Sequence, residues 1–347
     1  RRSIKINGGK IMPVIKAIGV QYCTLQCPDL DIQEQFLLHF GMHTVEKTEE
    51  VLIMRGDGPQ PFIEVCKKGE KKFLGATYVA ASMEDLEKIS KTDAFSDVEE
   101  LTTPGGGFIS RGTDLDGIGV EVCFGIKDRD DYQTLLPQSS NEGGQVNRIN
   151  ERKRYVKGAP PSIVRFGHYG INSNDIPAAL EWYNEHLGII ATDKLFGGDP
   201  KDPNTPMMGI FARLDKGLEP ADHHTIFWLP APMVSEGKPG LNHVSFEMLQ
   251  IDDVLRGHEI LQRNKEEFDY ELEWGVGRHY QGAQVFDYWR SPFRQTHEHQ
   301  TDGDYFDNTI PPNDVNMTED GLESDGPGPS QWGPDINFDT FGDIRNG

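Results

Sequence analysis

No stretch of this chain approaches the roughly 18 consecutive apolar residues that a membrane-spanning helix requires, so no such helix is expected and the chain reads as a soluble globular protein. Positive charge is also scarce: 34 Lys and Arg stand against 56 Asp and Glu, a net charge of −22. Nucleic-acid binding needs an electropositive face, so DNA and RNA are not expected partners. Cysteine is limited to Cys23, Cys27, Cys66 and Cys123, all in the first third. Cys23 and Cys27 have no second pair nearby to complete a zinc site, and all four read as reduced core residues. No secretory apolar segment opens the chain, and Met12-Pro13 follows a short basic, glycine-containing stretch as a candidate start. A cytoplasmic address is expected.

What the chain does have is length for two domains of about 100 to 200 residues and a tail. Its organisation is repetitive. An apolar stretch from Ala17 runs into Asp29, which is placed to cap a helix carrying Ile32, Phe36, Leu37 and Phe40 that ends at Gly41. The same unit recurs as a strand over 163–170, a cap at Asn174-Asp175 and a helix to Gly188. Weaker copies begin at Thr77 and at Asn242, each a strand followed by an acid-capped helix (83–87 and 251–255). Glycine-punctuated, β-rich segments follow each helix. The chain therefore reads as four βαβββ modules in two pairs, an α+β protein. The expected boundaries are 12–126 for a non-catalytic first pair, 127–160 for a polar linker, 161–305 for a catalytic second pair, and 306–347 for an acidic extended tail, pinned to the second pair through Trp332 and Phe338.

Nine of the eleven histidines fall between 168 and 299. A single strand histidine is usually structural, so the informative comparison is between equivalent positions of the repeats. Aligning the first modules on Asp29 and Asp175 sets His168 opposite Tyr22; aligning the second sets His243 near Thr77, with Glu298 opposite Glu121. Only the second half then holds two strand histidines and a carboxylate. Two histidines and one carboxylate are the set that binds non-haem Fe(II) while leaving adjacent positions open. His186, His258, His297 and His299 read as structural.

Gly277-Arg278-His279, then Asp287-Tyr288-Trp289-Arg290-Ser291-Pro292 and Glu298, resembles the signature of type I extradiol ring-cleavage dioxygenases of the vicinal oxygen chelate superfamily. Leu241-Asn242-His243-Val244-Ser245-Phe246 resembles that family's second metal-ligand strand, and Phe166-Gly167-His168 its first. The likeness spans roughly residues 16–305. Asp287, Ser291 and Arg294 depart from it, standing where an apolar residue, an acid and a glycine are usual. The resemblance implies two half-open β-barrels, Fe(II) on His168, His243 and Glu298 (Mn(II) suits the same ligands), a small aromatic diol and O2 as substrates, and a homo-oligomer. It also implies an acid/base histidine upstream of His243, at His223 or alternatively His224, and substrate contacts from His279 and Tyr288. Two other readings share the fold: a 4-hydroxyphenylpyruvate-dioxygenase-like oxygenase of 2-oxo acids, and a metal-free protein that binds an aromatic ligand.

Overall fold

The computed structural model describes residues 12–318 and 329–336. Its first half comprises β1 (Gly19–Cys27), α1 (Leu30–Phe40), β2 (His43–Lys47), β3 (Val51–Arg55), β4 (Glu64–Lys68), β5 (Lys72–Val79), α2 (Met83–Ile89), β6 (Glu99–Glu100), β7 (Phe108–Thr113) and β8 (Gly119–Phe124). The second comprises β9 (Ile163–Ser173), α3 (Ile176–Leu187), β10 (Ile189–Phe196), β11 (Met207–Leu214), β12 (Ala221–Asp222), β13 (Ile226–Pro230), α4 (Ala231–Val234), β14 (Gly240–Met248), α5 (Ile251–Phe268), β15 (Glu271–His279), β16 (Val285–Arg290) and β17 (Thr296–Thr301). Three short strands follow: β18 (Tyr305–Phe306), β19 (Asn313–Asn316) and β20 (Ser330–Trp332).

Local chemistry sets the helix ends. The Asp29 carboxylate accepts from the amides of Asp31 and Ile32, and Gly41 closes α1 at a left-handed φ of 118° that a side chain would resist. Asp175 caps α3 in the same way, with Gly188 behind it.

The strands form an eight-stranded sheet, β2-β3-β4-β1-β5-β8-β7-β6, and a ten-stranded one, β19-β10-β11-β13-β9-β14-β17-β16-β15-β20. Their centres repeat one another. In the first, β1 runs antiparallel to β5 and parallel to β4, and β5 parallel to β8; in the second, β9 runs antiparallel to β14 and parallel to β13, and β14 parallel to β17. One buried cluster, including Phe36, Phe40, Tyr78, Phe166, Tyr169 and Phe246, runs through both sheets, so exclusion of apolar surface from water joins them. All four cysteines are buried and free, and no helix among the described residues is long and apolar enough to cross a membrane.

The described part of the tail is not simple coil. β19 adds in parallel to β10 and β20 antiparallel to β15, so the tail occupies both edges of the second sheet. Trp332 remains half exposed beneath the Arg278 guanidinium; the firmer attachment is the Trp274 Nε1–H, which donates to Pro334 O at 2.8 Å. Phe338 lies outside the described residues.

Candidate metal centre and its cavity

The adjacent strands β9, β14 and β17 each contribute one residue to a buried cluster. His168, His243 and Glu298 offer ligand atoms that all lie within 4.8 Å of one another. His168 Nε2 is 3.0 Å and His243 Nε2 3.6 Å from Glu298 Oε2. A shift in the β9·β14 register between Leu241 and His243 places His243 across from Gly170. A side chain at Gly170 would meet the His243 ring at 2.7 Å, so glycine is required there by close approach.

The donor set fits a divalent cation. Asn242 Oδ1 accepts from His243 Nδ1–H at 2.7 Å, which fixes the tautomer and leaves the Nε2 lone pair facing the Glu298 carboxylate. Burial pushes the His243 imidazole down to about 3. For Glu298, burial alone would raise the pKa, but His168, His279 and His243 together hold it well below the usual carboxylate range. Two imidazoles and a carboxylate whose ligand atoms converge within 4.8 Å in a buried site form a set that a divalent cation would satisfy.

The first sheet shows what replaces such a site. Tyr22 Oη and Thr77 Oγ1 donate to Glu121 Oε2 at 3.2 and 2.8 Å, and Arg111 Nε donates to Oε1 at 3.2 Å. The ladders also refine the alignment: Gly170 pairs with His243 and His168 with Ser245, as Thr24 pairs with Gly75 and Tyr22 with Thr77. The counterpart of His243 is therefore Gly75, two residues before the expected Thr77.

Beside the cluster is a cavity of about 420 Å³, with His224, His243, His279 and Tyr288 on its polar side. His279 Nε2 lies 2.9 Å from Tyr288 Oη and 3.4 Å from Glu298 Oε1, so the residues expected to contact substrate do gather at the cluster. Burial, then Glu298, holds the Tyr288 phenol well above its ordinary value, in its protonated, donating form.

His223, expected as the acid/base group, does not line the cavity. It is buried, with Nε2 at 2.7 Å from Asp193 Oδ2 and Nδ1 at 2.9 Å from His224 Nδ1. The histidine on the cavity is His224, whose ring centroid is 4.1 Å from that of His168. His223 and His224 lie in the bend between β12 and β13, where the two rings meet each other and only His224 reaches the cavity lining. With His223 Nε2–H donating to Asp193, His223 Nδ1 accepts from His224 Nδ1–H, and His224 Nε2 is left unprotonated, as an acceptor. Burial and the neighbouring His168 and His223 hold His224 well below the ordinary histidine value, hence neutral. Asp193, in the middle of β10, carried no sequence signal of this role.

The unusual residues of the third block have structural partners. Asp287 is fully buried, 2.9 Å from His258 Nδ1 of α5, and accepts from Trp289 Nε1 at 2.7 Å. Ser291 is buried in the turn after β16, where its amide donates to Gln295 O. Arg294 has a left-handed φ of 61°, which explains why glycine suits this turn. Its guanidinium compensates by donating to both carboxylate oxygens of Asp269 at 3.0 Å and to Asp269 O at 2.9 Å. His297 and His299 turn away from the cavity, to Glu64 and to Phe40 O.

Residues 165–294 match the family model described as Glyoxalase/Bleomycin resistance protein/Dioxygenase superfamily, a span that includes His168 and His243 and stops before Glu298. The chain has the vicinal oxygen chelate fold. Solved structures with this fold follow most of its length. The Mn(II)-bound glyoxalase from Novosphingobium aromaticivorans superposes with a TM-score of 0.68 at 21% identity over 94% of this chain and 97% of that one. An extradiol ring-cleaving dioxygenase from Brevibacterium fuscum gives 0.69 at 17% over 94% and 82%, and the 2,3-dioxygenase LapB from Pseudomonas sp. KL28 gives 0.66 at 14% over 87% and 98%. At these identities the likeness is one of fold. No curated protein matches by sequence. Within the vicinal oxygen chelate fold, the chain has its second half built around the His168–His243–Glu298 cluster and its first around a hydrogen-bonded carboxylate.

Proposed function

We propose that the protein is a non-haem Fe(II)-dependent extradiol dioxygenase, which opens the ring of a catechol-type substrate beside its hydroxyls and incorporates both atoms of O2. The observation carrying this reading is the buried His168–His243–Glu298 cluster meeting, on one cavity wall, a neutral His224 and a hydrogen-bonded His279–Tyr288 pair. His168, His243 and Glu298 would hold the ion. When bound, it would supply Lewis acidity and a path for electrons between diol and dioxygen.

The remaining work falls to the chain. His224 Nε2 takes a proton from a diol hydroxyl and later returns one, the task for which a neutral imidazole is suited. His223 fixes the His224 tautomer and connects it to the Asp193 carboxylate. Tyr288 Oη–H donates to a substrate oxygen while His279 orients the phenol. The apolar walls exclude water from the reacting groups.

Anaerobic loading of the full chain with Fe(II), followed by a catechol panel under an oxygen electrode, tests this. One iron per chain, absent in His243→Ala, and one O2 consumed per diol are expected. Dioxygen uptake only with a 2-oxo acid, glyoxalase activity with Mn(II), or aromatic binding without turnover would replace the proposal.

A further inference from the structure

The polar lining of the cavity is limited to His224, His243, His279, Gln281 and the Tyr288 hydroxyl. The rest of it is a slot between two apolar clusters. Leu195, Met208, Phe211, Phe227 and Met317 line it from one cluster, backed by Val315; Trp274, the Tyr288 ring and Ile336 line it from the other, backed by Phe286. Phe211 and Phe227 stack at 4.2 Å and 11° to give the first wall a flat face. The walls begin directly at the reacting groups, for the Phe211 ring is 4.8 Å from His224 and the Trp274 ring 5.3 Å from His279. A substituent leaving the ring therefore enters apolar surroundings at once. Met317, Pro329 and Ile336 carry the apolar lining onto the tail, although residues 301–347 hold eleven acidic residues and one basic one. The tail thus presents its apolar side chains to the slot while its charge, with the net −22 of the chain, disfavours the approach of an anion.

We propose that this slot selects a neutral catechol carrying an apolar alkyl or aryl substituent and rejects one whose substituent ends in a carboxylate. The inference rests on the catechol reading and adds the substrate class to it. About 420 Å³ exceeds what a bare dihydroxybenzene fills and lies in the range of sites for larger ligands, about 300 to 1,000 Å³. Each methylene buried in the slot strengthens binding about fourfold until the slot is full. A carboxylate placed between the same walls loses its hydration without a partner and weakens binding on the order of 10²-fold relative to the alkyl chain of equal length.

The test uses the iron-loaded full chain and three ligand sets: catechol, 4-alkylcatechols of increasing length, and the same chains ending in a carboxylate. Anaerobic binding is read from tryptophan fluorescence, and turnover from dioxygen uptake. Affinity rising about fourfold per methylene, with the carboxylate series on the order of 10² weaker, is expected. Met208→Arg, at a half-buried wall position, should turn the preference toward the carboxylate series, and the wild-type series decides the question if that variant does not fold. Flat dependence on chain length, or carboxylate ligands bound as well as alkyl ones, overturns the inference even if ring cleavage proceeds. The expected binding order without any dioxygen uptake upholds the inference and overturns the dioxygenase reading.

Discussion

Replacing His224 by Phe removes the cavity-lining imidazole that the proposed mechanism uses as its base. Acid–base catalysis contributes about 10² to 10⁴ in rate, so turnover of a catechol should fall by that factor. Iron content should not change, because the proposed ligand atoms are those of His168, His243 and Glu298. His223→Phe acts differently: it deprives the buried His224 Nδ1–H of its acceptor at 2.9 Å. An unsatisfied buried donor costs about 1–3 kcal/mol, equivalent to about 5- to 150-fold if all of it appears in the rate. Asp193→Asn should cost least, since its amide oxygen still accepts from His223 Nε2–H. The assay is single-turnover ring cleavage with iron measured on each variant. A larger loss in His223→Phe than in His224→Phe would refute the assignment, and loss of iron in His224→Phe would make that residue a ligand.

Glu64 and His297 are both fully buried across the contact between the two sheets, with His297 Nε2 at 3.3 and 3.2 Å from the carboxylate oxygens. Glu64→Leu, which leaves the buried imidazole without this hydrogen-bond partner, should lower unfolding free energy by about 1–3 kcal/mol in urea titration, and an unchanged midpoint would contradict a stabilising role for the pair. The hydrogen bond to Asp287 raises the His258 pKa above its ordinary value; its contribution is therefore fully present below about pH 6.5, the unfolded value, and is lost as pH rises through the folded one. Urea midpoints of wild type and His258→Gln should accordingly converge on going from pH 6 to alkaline solution, and a gap that widens would contradict the sign. At Arg294, relief of the left-handed backbone, about 1 kcal/mol, competes with loss of a largely exposed ion pair to Asp269, about 0–1 kcal/mol, so Arg294→Gly should change stability by less than about 1 kcal/mol, on the stabilising side, as thermal unfolding would show.

Much of this architecture was legible because repetition is a sequence property. The caps at Asp29 and Asp175 and the closing glycines mark equivalent helices, and that equivalence singled out His168, His243 and Glu298 before any geometry was known. The two-residue offset of His243 was not legible, because a strand's register depends on the irregularity at Leu241/His243, which no local pattern encodes. Which of His223 and His224 faces the cavity was not legible, because it depends on the bend between β12 and β13 and on Asp193, thirty residues away in β10. α5 runs to Phe268, well beyond the expected 251–255, with Gly257 inside it; glycine reads as a helix breaker, yet a side chain there would meet the His299 ring at 2.6 Å. The tail strands escaped notice because short edge strands among acidic residues and prolines carry almost no hydrophobic alternation.

Labelled dioxygen tests the central claim most directly. The iron-loaded full chain is given a 4-alkylcatechol under ¹⁸O2, and the ring-opened product is analysed by mass spectrometry under conditions where aldehyde exchange with water is quenched. Incorporation of both labelled atoms into one product molecule, lost in His243→Ala, is the predicted result. Incorporation of one atom or none, or label uptake that persists without His243, would contradict it.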